Sequence, residues 1–239
     1  AVAAIEAERA DLLTLFVKED VVSWGERLII PVITWSVFSF LPLILAYLLP
    51  VAALSAASGQ FMLFRRRAYE TIGGHASVRD DTVDDVALGR RVKTHRLRWR
   101  MANGADHVRC RMYHSAQEVF DGFGKNLFGV FQYNVTVFVL IWAWVGIVFL
   151  EPPIVVTLAL AGALPAPFSA LPALQAMALA VVLWAVCLWR FRFPLYLAVL
   201  YPVTISLTIV IAARSLVLAL AGRAVWKGRR IPRPPIRWL

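Results

Sequence analysis

From Gly129 to Leu150 the chain runs 22 residues without a charged side chain. As a helix that stretch is roughly 33 Å long, enough to cross the approximately 30 Å hydrocarbon core of a bilayer. Such a segment must satisfy its backbone polar groups internally, which predicts a helix and excludes an ordinary soluble domain as the setting for this half of the chain. Glu151-Pro-Pro153 closes the stretch. Ala173 to Trp189 and Leu195 to Ala212 are also apolar for long enough, while Ile154 to Pro165 is shorter. Composition agrees, since 60% of the 239 residues are hydrophobic and mean hydropathy is +0.68, whereas soluble domains are nearer half apolar.

The net charge of +10 is unevenly placed. Residues 127–239 carry nine Lys or Arg against one acid, Glu151, and five of the nine lie between Lys227 and Arg237. Basic flanks of apolar spans mark the cytosolic side and attract anionic lipid. Four spans return the tail to the cytosol and place Arg190 and Arg192 outside; three would reverse both, and the larger cluster decides for four. Arg214 to Val225 then reads as a surface helix before Trp226. Nucleic acid is a rival partner for a basic chain, but here the excess flanks spans and forms no stripe on a soluble module, so no nucleic acid partner is expected. The expectation is a multi-pass protein of the cell membrane with about four spans over residues 128–222 and a basic cytosolic tail over 223–239.

The first half is more polar. Residues 1–13 have helical composition, and Leu15 to Val17 reads as a short strand leaving that helix. Leu28 to Leu49 is long enough to span, yet Pro31, Pro42 and Pro50 interrupt it, which predicts broken helices lying in the membrane interface. Gln60 to Phe64 is a short apolar run closed by Arg65, Arg66 and Arg67, and reads as an edge strand. The three arginines suit a phospholipid patch or a phosphate of a bound ligand. Gly73-Gly74 marks a turn requiring positive φ or close backbone approach. Arg96 to Met101 alternates basic with apolar, as a strand with one face on the core does. Ser115 to Leu127 is amphipathic, with Val119, Phe120, Phe123 and Leu127 on one face, and is expected to run straight into the first span. None of the four histidines, His75, His95, His107 and His114, forms a metal-ligand pattern. Cys110 and Cys187 form none either, and no disulfide between them is expected.

Asp84 and Asp85 open an apparent helix that begins at Val83 and carries Arg90, Arg91 and Lys93 toward its end. Carboxylates in a first turn are favoured by the helix dipole, so capping alone accounts for the pair. The same placement keeps both ionised and leaves one able to act as a general base.

In order and spacing, Gly59-Gln-Phe-Met-Leu-Phe-Arg-Arg66, Ile72-Gly-Gly74, Val83-Asp-Asp-Val86 and Val119-Phe-Asp-Gly-Phe-Gly-Lys-Asn126 resemble the second half of membrane-bound inverting family-two glycosyltransferases, above all the branch that glycosylates lipids such as ceramides, hopanoids and carotenoids. The resemblance covers roughly residues 1 to 130. It implies a partial GT-A-like α/β cytosolic domain over residues 1–127, followed by a transmembrane α-helical bundle. It further implies a nucleotide-sugar donor, a lipid acceptor and a divalent cation, Mg or Mn. Asp85 stands where the family has its base, and Asp84 where the family usually has Glu. Gln60, Gly73 and Gly74 fall on substrate-facing positions. Lys125 and Asn126 occupy the place of the Arg-Trp of a Gln-x-x-Arg-Trp motif, so a cation is kept and the aromatic platform is lost, a departure that argues against polysaccharide synthesis. No Asp-x-Asp occurs in the first 60 residues, so the donor and metal half of the family's site is expected to precede this chain, and the chain alone is expected to be inactive. The alternative from another class is a non-catalytic membrane protein whose polar segment binds lipid or a partner protein.

Overall fold

The computed structural model describes residues 1–226, 229–230 and 234–238. In chain order the elements are α1 (Val2–Ala7), β1 (Leu12–Phe16), β2 (Lys18–Glu19), α2 (Trp24–Ile29), α3 (Pro31–Phe40), α4 (Leu43–Leu48), β3 (Met62–Phe64), α5 (Arg66–Thr71), α6 (Asp84–Thr94), β4 (Trp99–Asn103), β5 (Arg109–Cys110), α7 (Ala116–Val130), α8 (Val135–Leu160), α9 (Leu171–Arg190), α10 (Tyr201–Leu220), β6 (Val225–Trp226) and β7 (Arg229–Arg230). They form two compact units, one of residues 1–20 and 33–112, the other of residues 21–32 and 113–239.

The first unit is α/β. Its sheet has the order β3-β1-β4, with β3 antiparallel and β4 parallel to the central strand. All five residues of β1 are buried, as expected of a strand covered on both faces, and each large apolar side chain so placed contributes about 1.5–3 kcal/mol. Thr14 is its one polar member. Leu13 and Leu15 join Ile5, Ala10 and Val17 in a core against which Phe61, Leu63, Ala102 and Val108 pack. In β4, Trp99 and Met101 are buried and Arg100 between them is not, which is the alternation read from the sequence. Past β1, the two residues of β2 pair in parallel with β5, setting Glu19 beside Cys110.

Helix α6 lies along this unit through Leu88, Gly89, Val92 and Lys93. Lys93 is 3% exposed. Its ammonium donates to the carbonyls of Ala46 and Leu49, the unsatisfied C-terminal end of α4, and sits 5.5 Å from the Trp99 ring centre. Burial pushes its pKa down. The proline-rich stretch from Leu28 to Leu49 is broken as its prolines predict, into α2, α3 and α4, the longest of ten residues.

The second unit is helical. Among the described residues, α8, α9 and α10 are long and apolar enough to cross a membrane. The fourth span expected at Ile154 to Pro165 is not separate: Ile154 to Leu160 continues α8 through Pro152 and Pro153. Two prolines delete ladder hydrogen bonds without reversing the chain, and an apolar helix tolerates that loss. Helix α7 does not run straight into the span. It ends at Val130, and Gln132 and Tyr133, both at positive φ, turn the chain before α8 begins after Asn134. The separate surface helix expected from Arg214 is also absent, because α10 runs on to Leu220; Arg214 is satisfied within the unit by the Phe120 carbonyl and by Asp121 at 2.8 Å.

Helix α10 is antiparallel to α8. Ala212 and Ala219 pack with Val135 and Phe138 near the start of α8, the Ile209 side chain lies against Gly146, and Tyr201 meets Phe149 with ring centres 6.3 Å apart. The chain after α10 returns to the start of α8, where Val135 N–H donates to the Arg237 carbonyl and Arg237 N–H to the Tyr133 carbonyl. Helices α2 and α7 belong to this unit, so its boundary falls near Tyr113 and not at residue 127. The reason is the apolar face of α7, which buries Val119, Phe123 and Phe128, with the Phe128 N–H donating to Ser215 of α10. Lys227 and Arg233 of the basic tail lie outside the described residues.

Candidate functional site

The site grows from Thr14, the single hydroxyl in a buried apolar strand. With no water available, its Oγ1 finds partners in the segment before β3: it donates to the Phe61 carbonyl at 3.1 Å and accepts from Ser58 N–H at 3.0 Å. Phe61 N–H donates to the Ser58 carbonyl, which closes a turn with Gly59 and Gln60 at its corners. Each corner holds a carboxyl group.

Gly59 N–H donates to Asp85 Oδ2 at 2.8 Å. Asp85 Oδ1 accepts from Val86 N–H at 2.7 Å, and its own N–H donates to Asp84 Oδ1 at 3.0 Å. Asp85 is half-buried and Asp84 exposed. Burial pushes the Asp85 pKa up, and it prevails over the Gly59 and Val86 amides, which pull it down. The N-cap residue, Val83, makes no side-chain cap, and the first-turn amides of Asp85 and Val86 are taken instead by the Asp84 and Asp85 carboxylates. The seat of α6 on this turn is made by Gly89, where an added Cβ would meet Ala57 Cβ at 3.4 Å.

Gln60, expected to face substrate, instead donates from Nε2 to Glu19 Oε1 and accepts from Ser58 Oγ at 3.0 Å. Glu19 is 8% exposed, and its other oxygen, Oε2, is buried without a hydrogen-bond partner among the described residues. Burial raises its pKa from 4.5 to about 7, outweighing the Gln60 bond, and the charge of Asp20 adds to the rise. Asp20 itself forms a two-point bridge with Arg109, at 3.0 and 3.2 Å. Burial, then Glu19, lifts the Cys110 thiol as well. Sequence reasoning missed Glu19, which follows β1 after Val17 and Lys18 and carries no motif of its own.

Gly73 and Gly74 both take positive φ, 77° and 51°. They sit toward the other end of α6, where Arg91 Nε donates to the Ile72 carbonyl at 2.8 Å, and a Cβ on Gly74 would strike the Tyr69 ring at 2.6 Å. Their described contacts are with Tyr69, Ser77 and Arg91, not with the acidic pair. Arg65 is exposed, as Arg66 and Arg67 are, and its Nε donates to the Ala10 carbonyl at 2.9 Å. Lys125 and Asn126 lie on α7 of the helical unit. Among the described residues no three His, Cys, Asp or Glu side chains gather as metal ligands, and both carboxyl oxygens of Asp85 already accept backbone amides. The residues present therefore do not fit a divalent cation. No family model, curated protein or solved structure matches this chain.

Proposed function

We propose that this chain carries the acceptor-activating part of a membrane-bound inverting glycosyltransferase, in which Asp85 is the general base. The observation that supports the reading is the state of Asp85: a half-buried carboxyl in the first turn of a helix, with its pKa raised by burial and its orientation fixed by the Gly59 and Val86 amides. A carboxylate held this way is more basic than a solvated one and is already aimed, which is what proton abstraction from a hydroxyl requires. Helices long and apolar enough to cross a membrane suit a lipid acceptor.

In this reading the proton of the acceptor hydroxyl passes to Asp85 as that oxygen bonds to the anomeric carbon of a nucleotide sugar. The bond to the nucleoside diphosphate breaks on the opposite face, and the configuration inverts. Asp84 orients Asp85 through its backbone amide. Gln60 acts through the turn, Gly73 and Gly74 shape the wall beside α6, and Lys125 with Asn126 recognises the donor diphosphate. A divalent cation, as in the resembled family, would stabilise the leaving diphosphate from ligands other than the described residues, which do not fit one. The catalytic part faces the cytosol.

The test is transfer by the natural polypeptide containing this chain, in membranes, with labelled nucleotide sugars and a membrane lipid extract. Labelled glycolipid that vanishes in Asp85→Asn supports the assignment. Glycolipid formed equally well by the variant, or formed with no nucleotide sugar tried, overturns it and leaves the lipid- or partner-binding alternative.

A further inference from the structure

Glu19 is a buried acid of the first unit. A buried carboxyl ordinarily has both oxygens bonded, yet among the described residues Oε2 has no partner and Oε1 has the Gln60 amide. Its strand, β2, is two residues long and contributes little packing that a smaller apolar residue would not. The cost of keeping an acid there calls for a role, and the geometry supplies one.

Gln60 and Gly59 are consecutive corners of one tight turn, closed by the Phe61 to Ser58 bond and tied to β1 by Thr14. Gln60 reaches Glu19 on one side, and Gly59 reaches Asp85 on the other. Movement of either corner moves its neighbour, because a turn of this size has no slack between i+1 and i+2. We infer that Glu19, acting through Gln60, is a positioning residue that holds the Gly59 amide on Asp85 and so keeps the base aimed. As a statement about catalysis this rests on the glycosyltransferase reading; as a statement about the turn it does not.

The groups around Glu19 make the link sensitive to protonation. Asp20 is the neighbouring acid, with its charge taken up by Arg109, and Cys110 faces Glu19 from β5. Among the described residues the charge acting on Glu19 is that of Asp20, so ionising Glu19 sets a second negative charge beside it and strengthens the demand on the Gln60 amide.

The experiment measures hydrogen–deuterium exchange of the peptide spanning residues 56–62 in the natural polypeptide, together with its transfer kinetics. Glu19→Ala and Gln60→Ala are expected to speed exchange of the Gly59 amide by about tenfold, the order expected when a hydrogen bond to a charged group is lost. Peptides from α8 to α10 should be unchanged. Glu19→Gln, which keeps an acceptor for Gln60 but cannot ionise, should restore protection and remove the inflection near pH 7 from the rate profile. In Glu19→Ala, kcat should fall with little change in KM. Unchanged exchange at residues 56–62 in Glu19→Ala and Gln60→Ala, with the helices intact, overturns the inference. Faster exchange in a protein that transfers no sugar supports the positioning link and overturns the glycosyltransferase reading alone.

Discussion

The backbone amide of Gly59 lies 2.8 Å from Asp85 Oδ2, and a Cβ on residue 59 would stand 3.3 Å from that same oxygen. The turn and helix α6 approach as closely as a residue without a side chain permits. Gly59→Ala should push Asp85 away by a few tenths of an ångström and destabilise the fold by about 1 kcal/mol, as mild overpacking does. Transfer rate reads the first effect and thermal unfolding the second; a variant unchanged in both would show that this contact is slack.

Asp85→Asn should reduce turnover by about 10² to 10⁴, the usual contribution of a general base. Expression and membrane insertion should stay near wild type and Tm should fall only slightly, because Asn keeps the size and its single carbonyl oxygen can still accept one of the two amides, Gly59 or Val86. Asp84→Asn should be milder, since Asp84 is exposed and touches the site only through the Asp85 amide. Equal and small losses from the two variants would return the pair to an ordinary helix-terminus role.

The Glu19 carboxyl titrates at about 7 in the fold against 4.5 for the free group. A raised folded pKa means the neutral acid is the form the fold favours. Its contribution is fully present below the unfolded value and disappears as pH rises through 7, on the order of 3 kcal/mol in all. Wild type should therefore lose stability relative to Glu19→Gln between pH 4.5 and about 7, as chemical denaturation across that range would read. Asp85 is shifted in the same direction, so some slope should survive in the variant. Parallel curves for the two proteins would show that Glu19 is ionised in the fold at ordinary cost.

Lys93→Met keeps the apolar stem against Trp99 and removes the ammonium that serves the Ala46 and Leu49 carbonyls. Leaving buried carbonyls without a donor should cost about 1–3 kcal/mol. Loss of protection at the end of α4, measured by hydrogen exchange, would locate the damage; a variant as stable as wild type would mean that water replaces the ammonium.

Because α10 is antiparallel to α8, the middle of one helix faces the middle of the other and the start of α8 faces the end of α10. Cysteines placed at Gly146 and Ile209, in a background without Cys110 and Cys187, should be joined by a short bifunctional thiol reagent, whereas a pair at Gly146 and Leu220 should not. Joining of the second pair and not the first would contradict the helical arrangement.

Apolar runs and prolines determined a great deal of this protein without help. An uncharged stretch as long as Val135 to Leu150 leaves the chain only helix, and Pro31, Pro42 and Pro50 break the earlier apolar stretch wherever it is placed, because ring and missing N–H act locally. The same holds for the first-turn position of Asp84 and Asp85 and the positive φ of Gly73 and Gly74. What the sequence left open depended on partners distant along the chain. Pro152 and Pro153 look like a terminus but lie inside α8, and Arg214 looks like a break but stays in α10 because Asp121 meets it. Glu19 carries no local mark of its role: its pKa and its hold on Gln60 come from burial beside β5 and from a turn some forty residues later, and burial of that kind exists only once the strands have paired.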